Sequence, residues 1–157
     1  MSVTAARRAL RGFLAKSKRD ALAFLAQPGD PALQAEVRAD VATIDSGRAI
    51  APDVVIAASG PRDWAGRALW VGRETRAVTE GDLWILDPAT RTLAAGDLVT
   101  LPVPFLDTAC PANWSAALGR LGEQDFERLV PGHGPVMDRA AFATYRKAFD
   151  GLLACAA

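Results

Sequence analysis

Apolar positions recur at helical spacing through the first third of the chain. Leu10, Phe13, Leu14, Ala21, Leu22, Phe24 and Leu25 keep the repeat that puts side chains on one helix face. The pattern predicts a helix from Thr4, suited as its N-cap, to about Ala26. The stretch QPGDP interrupts it. Asp30 is placed to cap a second helix with Pro31 at its first position, where a missing N–H costs nothing. Leu33, Val37, Val41 and Ile44 form the stripe of that helix, and Gly47 is placed to end it.

From Pro52 the period shortens. The runs DVVIAA, RALWVG, DLWILD and TLAAGDLV are short, branched and aromatic, which predicts strands, and SGPRD, TEGD and DPATR read as turns between them. DLWILDPATRTLAAGD predicts a hairpin turned at Asp87-Pro88. After the proline-rich LPVPFLDTACP, Pro111 opens a short helix carrying Trp114, Leu118 and Leu121. FERLV is one more buried strand, and Asp138 caps a last helix with Phe142, Tyr145, Phe149 and Leu152 on one side. Two helices, a block of strands, then helix, strand and helix predict a layered α/β domain. The chain reads as a single domain, 1–157, with a helical lead segment at 1–47 and the strand-bearing portion at 52–157.

Charge removes some functions. The 18 basic and 18 acidic residues cancel, which argues against a nucleic-acid partner. No apolar run is long enough to span a bilayer, and the N-terminus lacks a secretory apolar core, so no membrane partner is expected and the compartment is left unknown, cytoplasmic only by default. Arg7, Arg8, Arg11, Lys16, Lys18 and Arg19 form a basic run without an acid, read as a solvated helix face rather than a targeting or membrane-surface helix. Cys110 and Cys155 fit neither a zinc-knuckle nor a redox spacing, and leave a disulfide and two free thiols equally open.

The residues placed for chemistry are Asp97, in AAGDLV, and His133, the only histidine, in VPGHGPV. Each follows an apolar strand and has glycine beside it, which permits a sharp turn and close backbone approach, so that a side chain can be aimed into a site. A carboxylate and a neutral imidazole are both zinc ligands. No Gly-x-Ser-x-Gly elbow and no phosphate-binding glycine loop occurs. A Cys110 nucleophile with His133 as base has no local signature behind it.

TEGDLWILDPATRTLAAGDLV, followed by PFLD, a tryptophan-bearing helix and LVPGHGPV, resembles the C-terminal half of a metallo-β-lactamase-fold hydrolase over about residues 52–150. The resemblance implies a partial αββα sandwich. It implies zinc as cofactor, held in loops at one edge, activating a water against an ester, thioester or lactam. It places a metal-bridging aspartate at Asp97 and a histidine ligand at His133.

Two departures change that picture. The family's His-x-His-x-Asp-His motif is absent, and the position of a further histidine, just before the Thr-x-Gly-Asp turn, is Val78. Asp97 and His133 are then half of a ligand set, and Glu80, Asp82 and Asp107 are the nearby carboxylates that could complete an improvised site. His133 reads as a remnant ligand or as a live one shared across a dimer. Asp97 reads as a remnant ligand or as the cap of its turn, and Thr79 and Asp82 as turn formers. Trp64, Trp70, Trp84 and Trp114 read as core or pocket wall.

The chain is thus either the C-terminal portion of a zinc hydrolase or a shortened descendant, not catalytic alone, kept as a binding or assembly module. Val78 favours the second, and the retained loops favour the first. If active, the chain would take a small-molecule substrate. Loss of the leading strands would bare one face of a sheet, and exposed apolar patches of that size find partners. The expectation is a homodimer or association with another protein chain.

Overall fold

The computed structural model describes residues 3–47, 54–104, 106 and 109–156, with the side chains of 3–9 and 156 left out. The chain falls into two compact units, Met1–Ala57 and Ala58–Ala157.

The first unit is a helical hairpin of α1 (Val3–Leu25) and α2 (Pro31–Asp45). Thr4 lies inside α1 and not at its cap. α2 begins as its sequence dictates, with the Asp30 carboxylate accepting from the Ala32 amide at 2.8 Å and Pro31 in the first turn. It ends at Ser46, with Gly47 in the left-handed region at φ 62°. Lys18 of α1 pairs with Asp45 of α2.

The second unit is a five-stranded sheet in sequential order: β1 (Gly60–Trp64), β2 (Arg67–Glu74), β3 (Asp82–Asp87), β4 (Thr92–Thr100) and β5 (Arg128–His133). The first four strands run antiparallel, and β5 joins β4 in parallel. The parallel step is the one crossed by α3 (Pro111–Gly122), and α4 (Arg139–Ala156) closes the chain. The fold is α/β and corresponds to part of the expected sandwich.

The first strand is not where the apolar run DVVIAA put it. Positions 54–58 carry no strand, and position 53 lies outside the described residues. GPRDW, which reads as a turn, pairs with β2 instead, Pro61 opposite Trp70. β1 is an edge strand, where proline is tolerated because one side of the backbone has no ladder to serve.

The two faces of the sheet differ. On one, Leu86, Leu93 and Leu129 align across β3, β4 and β5 and are buried under α3 and α4 with Trp114, Leu118, Phe126, Phe142 and Phe149. Trp84 of β3 lies over Gly72 of β2, so closely that a Cβ there would overlap the indole. The same face buries Glu74, which binds Arg120 of α3 through two nitrogens, at 2.5 and 3.1 Å to Oε2, and accepts the Trp84 indole N–H at 3.1 Å. The Glu74 carboxylate raises the pKa of Arg120, chiefly through the hydrogen bond.

On the other face Leu69, Leu83, Ile85, Ala94 and Val130 lie outside the core cluster. Leu83 is 44% and Val130 39% exposed, although Val71, in the same row, is buried. At the turn end of this face Asp87 holds the β3–β4 connection. It accepts from Thr90 Oγ1 at 2.8 Å and from the Ala89 amide at 3.1 Å, and pairs with Arg67. The Thr90 hydrogen bond leads these contacts in holding the Asp87 carboxyl below its usual pKa.

Trp84 and Trp114 are core, as their apolar settings suggest. Trp64 and Trp70 are 42% and 41% exposed.

Candidate functional site

β4 and β5 run side by side in the same direction, so the loops after them leave the sheet at one edge. Asp97 sits in the second half of β4, at a register shift between Gly96 and Thr100, where the pairing to β5 slips. Gly96 makes the shift possible. Its φ of 55° lies in the left-handed region, which a side chain resists. His133 is the last residue of β5, and its carbonyl accepts from the Leu101 amide at 3.1 Å, tying the two loops together. His133 Nε2 lies 3.5 Å from Asp97 Oδ1, with both side chains 59% exposed. The two residues singled out by sequence are therefore brought together, 36 positions apart in the chain.

The approach depends on Gly132. A Cβ at that position would meet the Gly96 carbonyl carbon at 2.7 Å, the Asp97 nitrogen at 2.9 Å and the Asp97 carboxylate closer still. Backbone atoms on the neighbouring strand cannot rotate aside. Gly132→Ala is expected to part β4 from β5 and cost about 1–3 kcal/mol, as overpacking does. Gly151, on α4, has open space around it, and Gly151→Ala should instead stabilise by up to about 1 kcal/mol through helix propensity. Thermal denaturation of the two variants checks the contrast in sign.

Val78 is nowhere near the surface. It is 6% exposed and belongs to the core cluster, and the Ala77 carbonyl just before it accepts from the Cys110 amide at 2.8 Å. Asp82 is committed to the turn: its carboxylate accepts from the Val78 amide at 3.0 Å, the Thr79 amide at 3.1 Å and Thr79 Oγ1 at 2.8 Å. Glu80 is exposed, and Asp107 lies outside the described residues. Among the described residues no group of three or more histidine, cysteine, aspartate or glutamate side chains is placed to hold a metal ion. Cys110 and Cys155 are free thiols.

Sequence reasoning missed two supports of this edge. Tyr145 of α4 accepts the Thr100 amide at 3.3 Å, and burial pushes its phenol pKa up. Between α4 and the loops after β4 and β5 lies an apolar groove of about 550 Å³, walled by Pro102, Pro104 and Val136 and floored by Ala141 and Ala148. The helical spacing of Ala141, Thr144, Tyr145 and Ala148 was a signal for the floor. Nothing local signalled the walls. Among the described residues no helix is long and apolar enough to cross a membrane.

No protein-family profile and no curated protein matches the sequence. Solved structures do match. A metallo-β-lactamase from Pontibacter korlensis superposes with a TM-score of 0.57 at 21% identity, over 69% of this chain and 54% of its own. TMB-1 matches with 0.56 at 17% identity, over 69% and 51%. The metallo-β-lactamase DIM-1 matches with 0.52 at 17% identity, over 71% and 54%. At these identities the likeness is one of fold, and the chain spans about half the length of each structure.

Proposed function

We propose that this chain, carrying part of a metallo-β-lactamase fold, derives from a zinc-dependent hydrolase of the ester, thioester or lactam type and is not catalytic by itself. The observation that carries the reading is the pairing of Asp97 with His133 at 3.5 Å, taken together with the burial of Val78 in the core. Nitrogen and oxygen ligands bind tetrahedral zinc at about 2.0–2.2 Å, so two of them stand about 3.3 Å apart. The pair thus has the spacing of two corners of such a site.

Two corners are too few. Structural zinc takes four protein ligands and catalytic zinc three plus a water. An ion held by one imidazole and one carboxylate would exchange readily, and it would lack the fixed coordination that lowers the pKa of a bound water. The described residues therefore do not fit a complete zinc site, and no catalytic step is assigned to them.

Equilibrium dialysis with zinc tests the reading. The expected result is weak binding, well below one ion per chain at micromolar metal, reduced further by His133→Ala. Chelator-sensitive turnover of an activated ester or lactam by this chain would contradict it. A binding or assembly module is the second reading, favoured by the exposed sheet face around Leu83 and Val130.

A further inference from the structure

Where α3 ends against α4 there is a hollow of about 370 Å³ with more positive than negative charge around it. Arg139, Arg146 and Lys147 of α4 line it, and Asp150 is the one carboxylate that does so among the described residues. The three cations are committed to different degrees. Arg139 is spent. Its guanidinium donates to the carbonyls of Gly122 at 2.9 Å and Gln124 at 2.7 Å, and it lies over the Phe126 ring, 4.8 Å from the centroid. It thereby covers the carbonyl end of α3, which would otherwise repel an anion. Arg146 is not spent. Its Nε stands 4.0 Å from Asp150 Oδ2, too far for a hydrogen bond, and its guanidinium makes none among the described residues. The other Asp150 oxygen accepts from Ser115 Oγ at 2.6 Å. Lys147 has no ion pair among the described residues.

We propose that this hollow binds a phosphate group. Charge selects the occupant: two cations with unspent donors share one concave site with a single carboxylate, which Ser115 already engages. A guanidinium offers a phosphate two parallel N–H donors, and an ammonium beside it acts as a point charge. A phosphate monoester carries about two negative charges near neutral pH and three acceptor oxygens, so it answers both cations at once. The local sequence makes the room. Arg146 reaches across to glycines of α3, and its terminal nitrogens lie 3.4 and 3.6 Å from where a Cβ at Gly119 and at Gly122 would stand. Long side chains at those positions would occupy the space the guanidinium uses. The free anion and the phosphoryl end of an organic ester present the same group, and the measurement below separates them.

The site uses none of the metal donors, so it stands or falls separately from the zinc measurements. A 1H–15N NMR titration of the full chain at low ionic strength tests it, with inorganic phosphate in one arm and glycerol phosphate in the other. Saturating shifts are expected around Gly119, Gly122 and Ala143, with a Kd of about 1–10 mM, as suits a site open to water. Tighter binding of the ester identifies an organic phosphate as the occupant, and equal binding the free anion. Arg146→Gln should weaken binding about tenfold, and Arg146→Lys, which keeps the charge and loses the fork, about threefold. Lys147→Gln should also weaken it about threefold. Arg146 and Lys147 are exposed, so these variants should keep the fold, which the same spectra check. Arg62→Gln removes the same charge from β1, at the far edge of the sheet from β5, and should change nothing. Absence of saturable shifts at about 100 mM ligand, well above that Kd, overturns the proposal. So does binding that Arg146→Gln and Lys147→Gln leave unchanged, or that Arg62→Gln weakens as much as they do.

Discussion

Trp114→Ala is expected to cost about 3–5 kcal/mol, the range for deleting a large buried aromatic. Trp114 is fully buried in α3, tilts against Phe149 with ring centroids 4.9 Å apart, and donates its indole N–H to the Leu98 carbonyl at 2.8 Å. Alanine removes the ring, opens a cavity between α3, α4 and the sheet, and orphans a carbonyl one residue after Asp97. Against a total stability of about 5–15 kcal/mol this is a large share. For a chain of this length each kcal/mol moves Tm by about 2–4 °C, so a fall of about 6–20 °C is expected in a thermal melt. Trp114→Phe, which keeps most of the ring volume and loses the N–H, should fall between the two.

Arg120→Ala is the second large effect. Its partner Glu74 is the more buried member of the pair, with a side chain 6% exposed against 51% for Arg120. Removing the arginine leaves a carboxylate under the sheet with only the Trp84 indole to serve it, and stranding a buried charge costs about 3–5 kcal/mol. Glu74→Gln should cost less, because the half-exposed guanidinium can turn to water. Urea denaturation of both variants measures the asymmetry. Equal costs would show that the pair behaves as a surface ion pair, worth about 0–1 kcal/mol.

Much of the second unit was legible before any coordinates. The hairpin of β3 and β4, the opening of α3 at Pro111 and the Asp138 cap of α4 all follow from period and turn chemistry, whereas the strand read at FERLV is shifted along the chain to Arg128–His133. Asp97 and His133 are both legible in the sequence, but Asp97 reads there as a loop residue after its strand and lies inside β4, with its Oδ1 3.5 Å from His133 Nε2. β1 was hidden because an edge strand can carry Pro61, and its sequence GPRDW has the composition of a turn. The Glu74–Arg120 pair was hidden for a different reason. The residues are 46 positions apart, and each looks like an ordinary surface charge until the sheet and α3 are stacked. The two exposed tryptophans, Trp64 on the edge strand β1 and Trp70 on its neighbour β2, lie at one side of the sheet, where hydrophobicity alone does not say which face is covered.

Val78 ties the sequence to the chemistry. Its apolar side chain is at home in the core cluster, so the position serves packing in this chain. Asp97 and His133 are left as a pair, held together by a glycine that forbids a side chain between the strands.

Zinc content is the most direct measure of what that pair can do. The purified protein, loaded with excess zinc, passed through a desalting column and assayed by elemental analysis, is expected to retain well under one ion per chain, and to lose what it retains with Asp97→Ala or His133→Ala. One or two ions per chain, retained by a monomeric form and required for hydrolysis, would contradict the account.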